Sequence, residues 1–165
     1  MTTATERRTK KESKIQEEDR YKFVLEEART VLPGLQALFG FQLITVFNPK
    51  FDKMIPFDQQ AYWVALILIT ISMCLLMTPA AYDRQTKCHH DPKHFERVAT
   101  VLITCALFPF MLAMSIDAYI VTREMFHSES MALSTGLTLL TIFGVLWYGF
   151  PLYMNANHNF DKHKH

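Results

Sequence analysis

Asp117 directly follows the charge-free run Val98–Ile116 and is the only formal charge inside an otherwise apolar helical segment. A carboxylate at mid-helix in a bilayer costs about 3 kcal/mol on insertion scales, so such a group normally has a partner or a task. At helical spacing it shares a face with Ala106, Phe110 and Ala113, and the two alanines favour packing against another helix. Three roles are open to it. It can lie a turn or two from the outer surface and reach water, accept a structural hydrogen bond, or work as a proton or cation relay. In the relay reading, Ser134, Thr138 and Thr141 line one face of a later segment and continue the path, with Gln36 as a further polar group.

A second constellation is Cys88, His89, His90, Asp91 and His94, with His158, His163 and His165 in the tail. Imidazole and thiolate suit a transition metal, and imidazole alone suits pH sensing. His90 and His94 share a metal only if both lie on helix, whereas Asp91-Pro92 is an N-cap and first-turn signature that puts His90 before the helix start. The alternative is a solvated basic loop near lipid phosphates. Arg84 and Arg97 are expected at the membrane surface, their stems in the apolar phase and their heads at the headgroups. An ion pair of Arg84 with Glu96 or an acidic arm residue is the other reading. Catalysis finds no support: Gly-x-Ser-x-Gly, His-Glu-x-x-His and paired acids at one membrane depth are all missing. No facing histidines suit haem ligation in the crossings, so no cofactor is expected. Nucleic acid is not expected either, because the acids of the N-terminal arm largely cancel its bases.

The elements that must position these residues follow from charge segregation. The 165-residue chain is 50% hydrophobic with a formal net charge of +1, yet its mean hydropathy is only +0.06. The charges gather in the arm and short loops, leaving Thr30–Pro49, Gln59–Tyr82, Val98–Ile116 and Ser130–Phe160 free of Asp, Glu, Lys and Arg. Each is long enough to cross a hydrocarbon core of roughly 30 Å as a helix. The expected fold is therefore all-α: an integral membrane four-helix bundle with an N-terminal amphipathic interfacial helix. Its parts are a disordered polar arm at 1–12, the interfacial helix at 13–32, a four-pass domain at 33–154 and a polar His-containing tail at 155–165. In the interfacial helix Tyr21, Val24, Leu25, Ala28 and Leu32 fall near one face.

Pro33-Gly34 is expected to bend the chain from the surface into the bilayer. Gln36 and Gln42 in the first crossing are costly facing lipid, and Gly40 shares the face of Gln36. Thr70, Cys74 and Thr78 form a weakly polar stripe on the second. Pro109 kinks the third and frees a carbonyl near Cys105. Gly136 and Gly144 permit close backbone approach on the fourth, which Pro151 is expected to end on the inner side. Cys74, Cys88 and Cys105 have neither a disulfide-framework nor a zinc spacing and are expected to be reduced. The first 29 residues lack an apolar signal-peptide core, so the first crossing is expected to be a retained anchor.

With both termini cytoplasmic, 14 of the 17 basic residues lie inside, and only Lys50, Lys53 and Arg123 lie outside. That asymmetry favours this orientation.

The run EEARTVLPGLQALFGFQLITVFNPKF, followed by LLMTPAAYDR, resembles an uncharacterised family of small four-pass bacterial membrane proteins, a domain of unknown function. The resemblance covers roughly residues 20–120 and is most specific at Leu32-Pro33-Gly34 and Pro79-Ala80-Ala81-Tyr82. It implies the fold and a bacterial inner-membrane location, and no mechanism. Such relatives are expected to carry a His before the arginine that closes the second run; here Asp83 stands there, so no role of that His is carried over.

Two functions are expected to compete. One is a non-catalytic interaction or accessory subunit, or a self-associating scaffold, held in the lipid bilayer as a homo-oligomer or within a larger complex. The other is a small homo-oligomeric ion channel or transporter using Asp117 and the Ser/Thr face.

Overall fold

The computed structural model describes residues 29–85 and 92–154, with Lys22, Phe23 and Glu26 before them; at 83–85 and 92–96 it describes the backbone alone. Among these residues the chain is all-α. Helix α1 spans residues 29–46, α2 spans Pro56–Gln85, α3 spans Pro92–Phe126 and α4 spans Glu129–Gly144. Helical conformation continues beyond α4 through a π turn at Val145–Gly149 and on to Met154. Three stretches, Pro56–Tyr82, Arg97–Phe126 and Glu129–Met154, are long and apolar enough to cross a membrane. Helix α1 is described continuously from residue 29, with Lys22, Phe23 and Glu26 before it also helical, and carries Arg29, Gln36 and Gln42.

Several boundaries differ from the charge-free runs, each for a physical reason. Helix α2 starts at Pro56, where the missing N–H falls on a helix-start position that has no intrahelical acceptor. Helix α3 runs ten residues past Ile116 to Phe126, because Asp117 and Arg123 have partners inside the protein and do not end it. The expected bend at Pro33-Gly34 does not interrupt α1, which stays helical through both residues. Nor does Pro151 end the last helix. In a regular helix its ring would press on the carbonyl of Trp147. Here the Phe150 N–H reaches back to Val145 O, the wider π spacing that accommodates the proline ring.

The chain forms two compact units, Met1–Phe41 with Thr70–Ala106 and Gln42–Ile69 with Leu107–His165. In the first, Leu35, Leu76, Ala99 and Ala106 are buried. Ser72, also fully buried, donates its hydroxyl to Ala106 O at 2.8 Å. That carbonyl neighbours the Cys105 carbonyl, which Pro109 leaves without its helical donor. Thr70, Cys74 and Thr78, the weakly polar stripe, line a shallow groove with Phe39.

In the second unit, Phe51 and Tyr62 meet edge to face at 5.5 Å and pack with Ile120 into a small core. The loop between α1 and α2 is held from both sides. Asn48 accepts the Lys50 N–H at 3.0 Å, and the Gln59 amide donates to Phe51 O at 2.9 Å. Helices α3 and α4 are joined by His127 and Ser128 alone. His127 takes the left-handed conformation at φ 52°, and its N–H closes on Arg123 O at 2.9 Å. This is the single-bond C-cap that lets a helix stop and turn sharply. The hairpin brings Gly136 against Ser115 and Tyr119: a Cβ there would lie 3.2 Å from Ser115 O and 3.3 Å from Tyr119 Cβ. Farther along, Trp147 stacks on Phe110 at 5.7 Å and on Phe143 at 4.9 Å.

Candidate functional site

Two polar groups of the second unit lie toward the end of the helices where the α1–α2 loop is found. Asp58 sits in the first turn of α2 and Arg123 in the last turn of α3. A helix N-terminus favours an acid and a C-terminus a base, so each residue suits its own helix. The two also meet: Arg123 Nη1 donates to Asp58 Oδ1 at 2.7 Å and to the Tyr119 hydroxyl at 3.0 Å. Asp58 is only 1% exposed. Glu129, largely exposed at the start of α4, lies 3.9 Å from Arg123. Arg123 is thus held by a carboxylate, a phenol and a second, peripheral acid.

Beside this ion pair lies a second polar group. Gln42 Nε2 donates to Asp117 Oδ2 at 2.6 Å, joining residues 75 positions apart. Gln42 is only 5% exposed. The Tyr62 hydroxyl donates to the main-chain carbonyl of Gln42 and is also hydrogen-bonded with Thr45. Near a helix end the carbonyls run short of helical donors, so a phenol there is a natural supplement. The group has an imbalance. Asp117 Oδ1 and Gln42 Oε1 are both buried with no hydrogen-bond partner among the described residues. Turning the Gln42 amide over would set two acceptors face to face, so the observed orientation is the one that makes a bond.

The residues singled out from the sequence fall as follows. Asp117 reaches Gln42, not the hydroxyl stripe: Ser134, Thr138 and Thr141 are exposed on α4. Ser134 donates to Met131 O and Thr141 to Leu137 O, each at 2.8 Å within its own helix. Gln36 is exposed in the first unit. Gly136 makes the α3–α4 approach, whereas a Cβ at Gly40 or Gly144 would meet nothing within 4 Å. Arg97 is exposed. Cys88, His90 and the tail lie outside the described residues, as do the side chains of Arg84 and His94 and 13 of the 20 residues of the expected interfacial helix. Among the described residues no cluster of three His, Cys, Asp or Glu side chains forms a metal site.

Asp58 and Arg123 were missed as a pair. The signal was available, since the two stand at the ends of consecutive antiparallel segments, at one depth, with opposite charge.

A groove of about 580 Å³ runs beside the cluster, between α2, α3 and α4. Val64, Leu112, Leu133 and Leu137 make its walls, and Glu129 is the one charged residue on its lining.

The fold and cluster define the class: among the described residues, an all-α protein with three helices of membrane-crossing length and composition, in which Asp58 and Arg123, at the ends of two of them, are paired. The chain belongs to DUF6328, a family of unknown function, whose sequence profile matches residues 11–151. The match extends beyond the 20–120 stretch of the resemblance at both ends. Neither the comparison with curated proteins nor that with solved structures gave a match.

Proposed function

We propose that this is a non-catalytic multi-pass protein of the bacterial plasma membrane, an interaction or accessory subunit or self-associating scaffold. It crosses the bilayer four times with both termini in the cytoplasm. The observation that carries this reading is the bareness of α4. Only 6% of its most apolar window is buried, against 33% in each of the other two long helices. Its outward positions include Ser134, Thr138 and Thr141, and Gly144 leaves open space beside it. Because the hydroxyls of Ser134 and Thr141 bond within the helix, that face carries little unmet polarity and stays low. Such a face suits close packing against another membrane helix.

The test combines native mass spectrometry in mild detergent with cross-linking in membranes of a single cysteine at Thr138→Cys, in a background lacking the three native cysteines. A self-associating scaffold gives a homo-oligomer and a Thr138→Cys cross-linked dimer. An accessory subunit gives a stoichiometric foreign chain and no self-cross-link. A protein that is monomeric by both measurements removes the reading.

One observation favours a second reading, a small homo-oligomeric channel or transporter. Asp117 and Gln42 hold two buried acceptor oxygens without donors. Groups of this kind mark ion and proton sites in membrane helices. Ser134, Thr138 and Thr141, turned outward, line a path in that case only between copies of the chain.

A further inference from the structure

The imbalance at Asp117 has a specific chemical resolution. A carboxyl group bearing a proton is both donor and acceptor, and so is a primary carboxamide. Paired edge to edge they form a closed ring of two parallel hydrogen bonds: amide N–H to carboxyl oxygen, and carboxyl O–H to amide oxygen. Half of this ring is present, the Nε2–H to Oδ2 bond at 2.6 Å. The two atoms that would make the other half, Asp117 Oδ1 and Gln42 Oε1, are the two buried side-chain atoms without partners among the described residues. One proton satisfies both. As an anion, Asp117 leaves a buried charge and two orphaned acceptors, each orphan costly in an apolar setting.

We propose that Asp117 and Gln42 form a single-proton binding site, a carboxyl–carboxamide pair in which the proton sits on Oδ1 and points to Gln42 Oε1. The proton comes from water, one O–H bond forms, and its release restores the carboxylate. This deepens the channel or transporter reading by naming a proton as the ion.

The groups around the pair agree with it. From α1 they are Gln42 itself and Thr45, and from α2 Tyr62, whose hydroxyl is engaged with Gln42 O and Thr45. On α3 the neighbouring cation is Arg123, six residues on and so about 9 Å along the axis. It is taken by Asp58, Tyr119 and Glu129. No cation among the described residues is paired with Asp117.

The test is infrared spectroscopy of the full chain in phosphatidylcholine–phosphatidylglycerol vesicles, comparing wild type, Asp117→Asn and Gln42→Leu. At neutral pH wild type is expected to show a carboxylic-acid carbonyl band that Asp117→Asn lacks and that shifts in Gln42→Leu. Should Gln42→Leu fail to fold, Asp117→Asn still decides. Asparagine supplies a permanent donor where the proton sits, so this variant should fold as wild type does. The closed ring exists only in the folded chain, so losing the proton costs the folded state two satisfied acceptors. Stability is therefore full at low pH and falls as pH rises through the release. Asp117→Asn should lose that pH dependence. The absence of an acid band at neutral pH, or identical pH profiles for wild type and Asp117→Asn, overturns the proposal. Proton flux in the same vesicles separates site from transport. A band without flux keeps the site and removes the transport reading; flux without a band overturns the site.

Discussion

At the scale of single residues, the distinction that matters is between Gln36 and Gln42. Both are amides in one apolar helix, and composition alone makes both expensive to turn toward lipid. They are six positions apart, about 240° around the helix, so a single partner serves only one of them. The partner is Asp117, and it takes Gln42. Helical periodicity states which residues share a face but not how a helix is rotated against its neighbour, so this choice was not legible in the sequence. Gln42→Leu is expected to cost about 1–3 kcal/mol, because it strands a buried carboxyl oxygen without its donor. Gln36→Leu, at an exposed position, is expected to be neutral or mildly stabilising in a bilayer. Thermal unfolding in detergent of the two variants checks this, and equal losses would mean that Gln42 is not specially paired. The Asp58–Arg123 contact adds a second residue-scale outcome. Asp58→Asn and Arg123→Gln should each lower the melting temperature, and the double variant should lose clearly less than the two losses combined. Strict additivity would show that the 2.7 Å contact contributes no coupling.

At the scale of elements, the helices were legible and their contacts only partly so. Charge-free runs located the helices to within a few residues at most ends, since excluding charge from a bilayer leaves a long, unambiguous mark. They failed where a charge is neutralised by its surroundings, as at Asp117 and Arg123 in α3. The proline signal failed where a π turn accommodates the ring, as at Pro151, which does not end the last helix. Gly136 and Gly144 look alike in sequence but differ in structure. At Gly136 an added Cβ would press on Ser115 O at 3.2 Å and Tyr119 Cβ at 3.3 Å, whereas at Gly144 it meets nothing within 4 Å. Gly136→Leu should therefore part α3 from α4 and cost on the order of 1–3 kcal/mol, as overpacking does. Gly144→Leu should leave the stability of the single chain unchanged while weakening association if α4 is the docking helix. Unfolding and native mass spectrometry of the same two proteins separate these effects. If Gly144→Leu leaves every assembly intact, the docking face lies elsewhere.

At the scale of the whole molecule, the open quantity is the number of crossings, and the charges bear on it directly. Helix α1 is the weakest candidate by polarity, yet Gln42 near its end is bonded to α3 within the second unit. A helix so engaged has its polar group covered by protein, which removes much of the penalty for entering the bilayer. With α1 inserted, the loop at residues 47–55 and the His127–Ser128 turn lie on one side, and the Gln85–Pro92 connection and both termini lie on the other. Of the three basic residues on the first side, Arg123 is held by Asp58. It still counts as a basic residue, so three on this side oppose the 14 of the arm, the connecting loop and the tail. Reporter fusions at the two ends should accordingly both read cytoplasmic. If α1 instead lies along the surface, three crossings remain and the termini fall on opposite faces. Lys50→Cys, labelled by an impermeant reagent on intact cells, then supplies the deciding result. Labelling from outside with both termini inside fixes four crossings. Protection of Lys50→Cys together with an external C-terminal reporter would reduce the bundle to three, leaving α1 as a helix held against it from the cytoplasmic side.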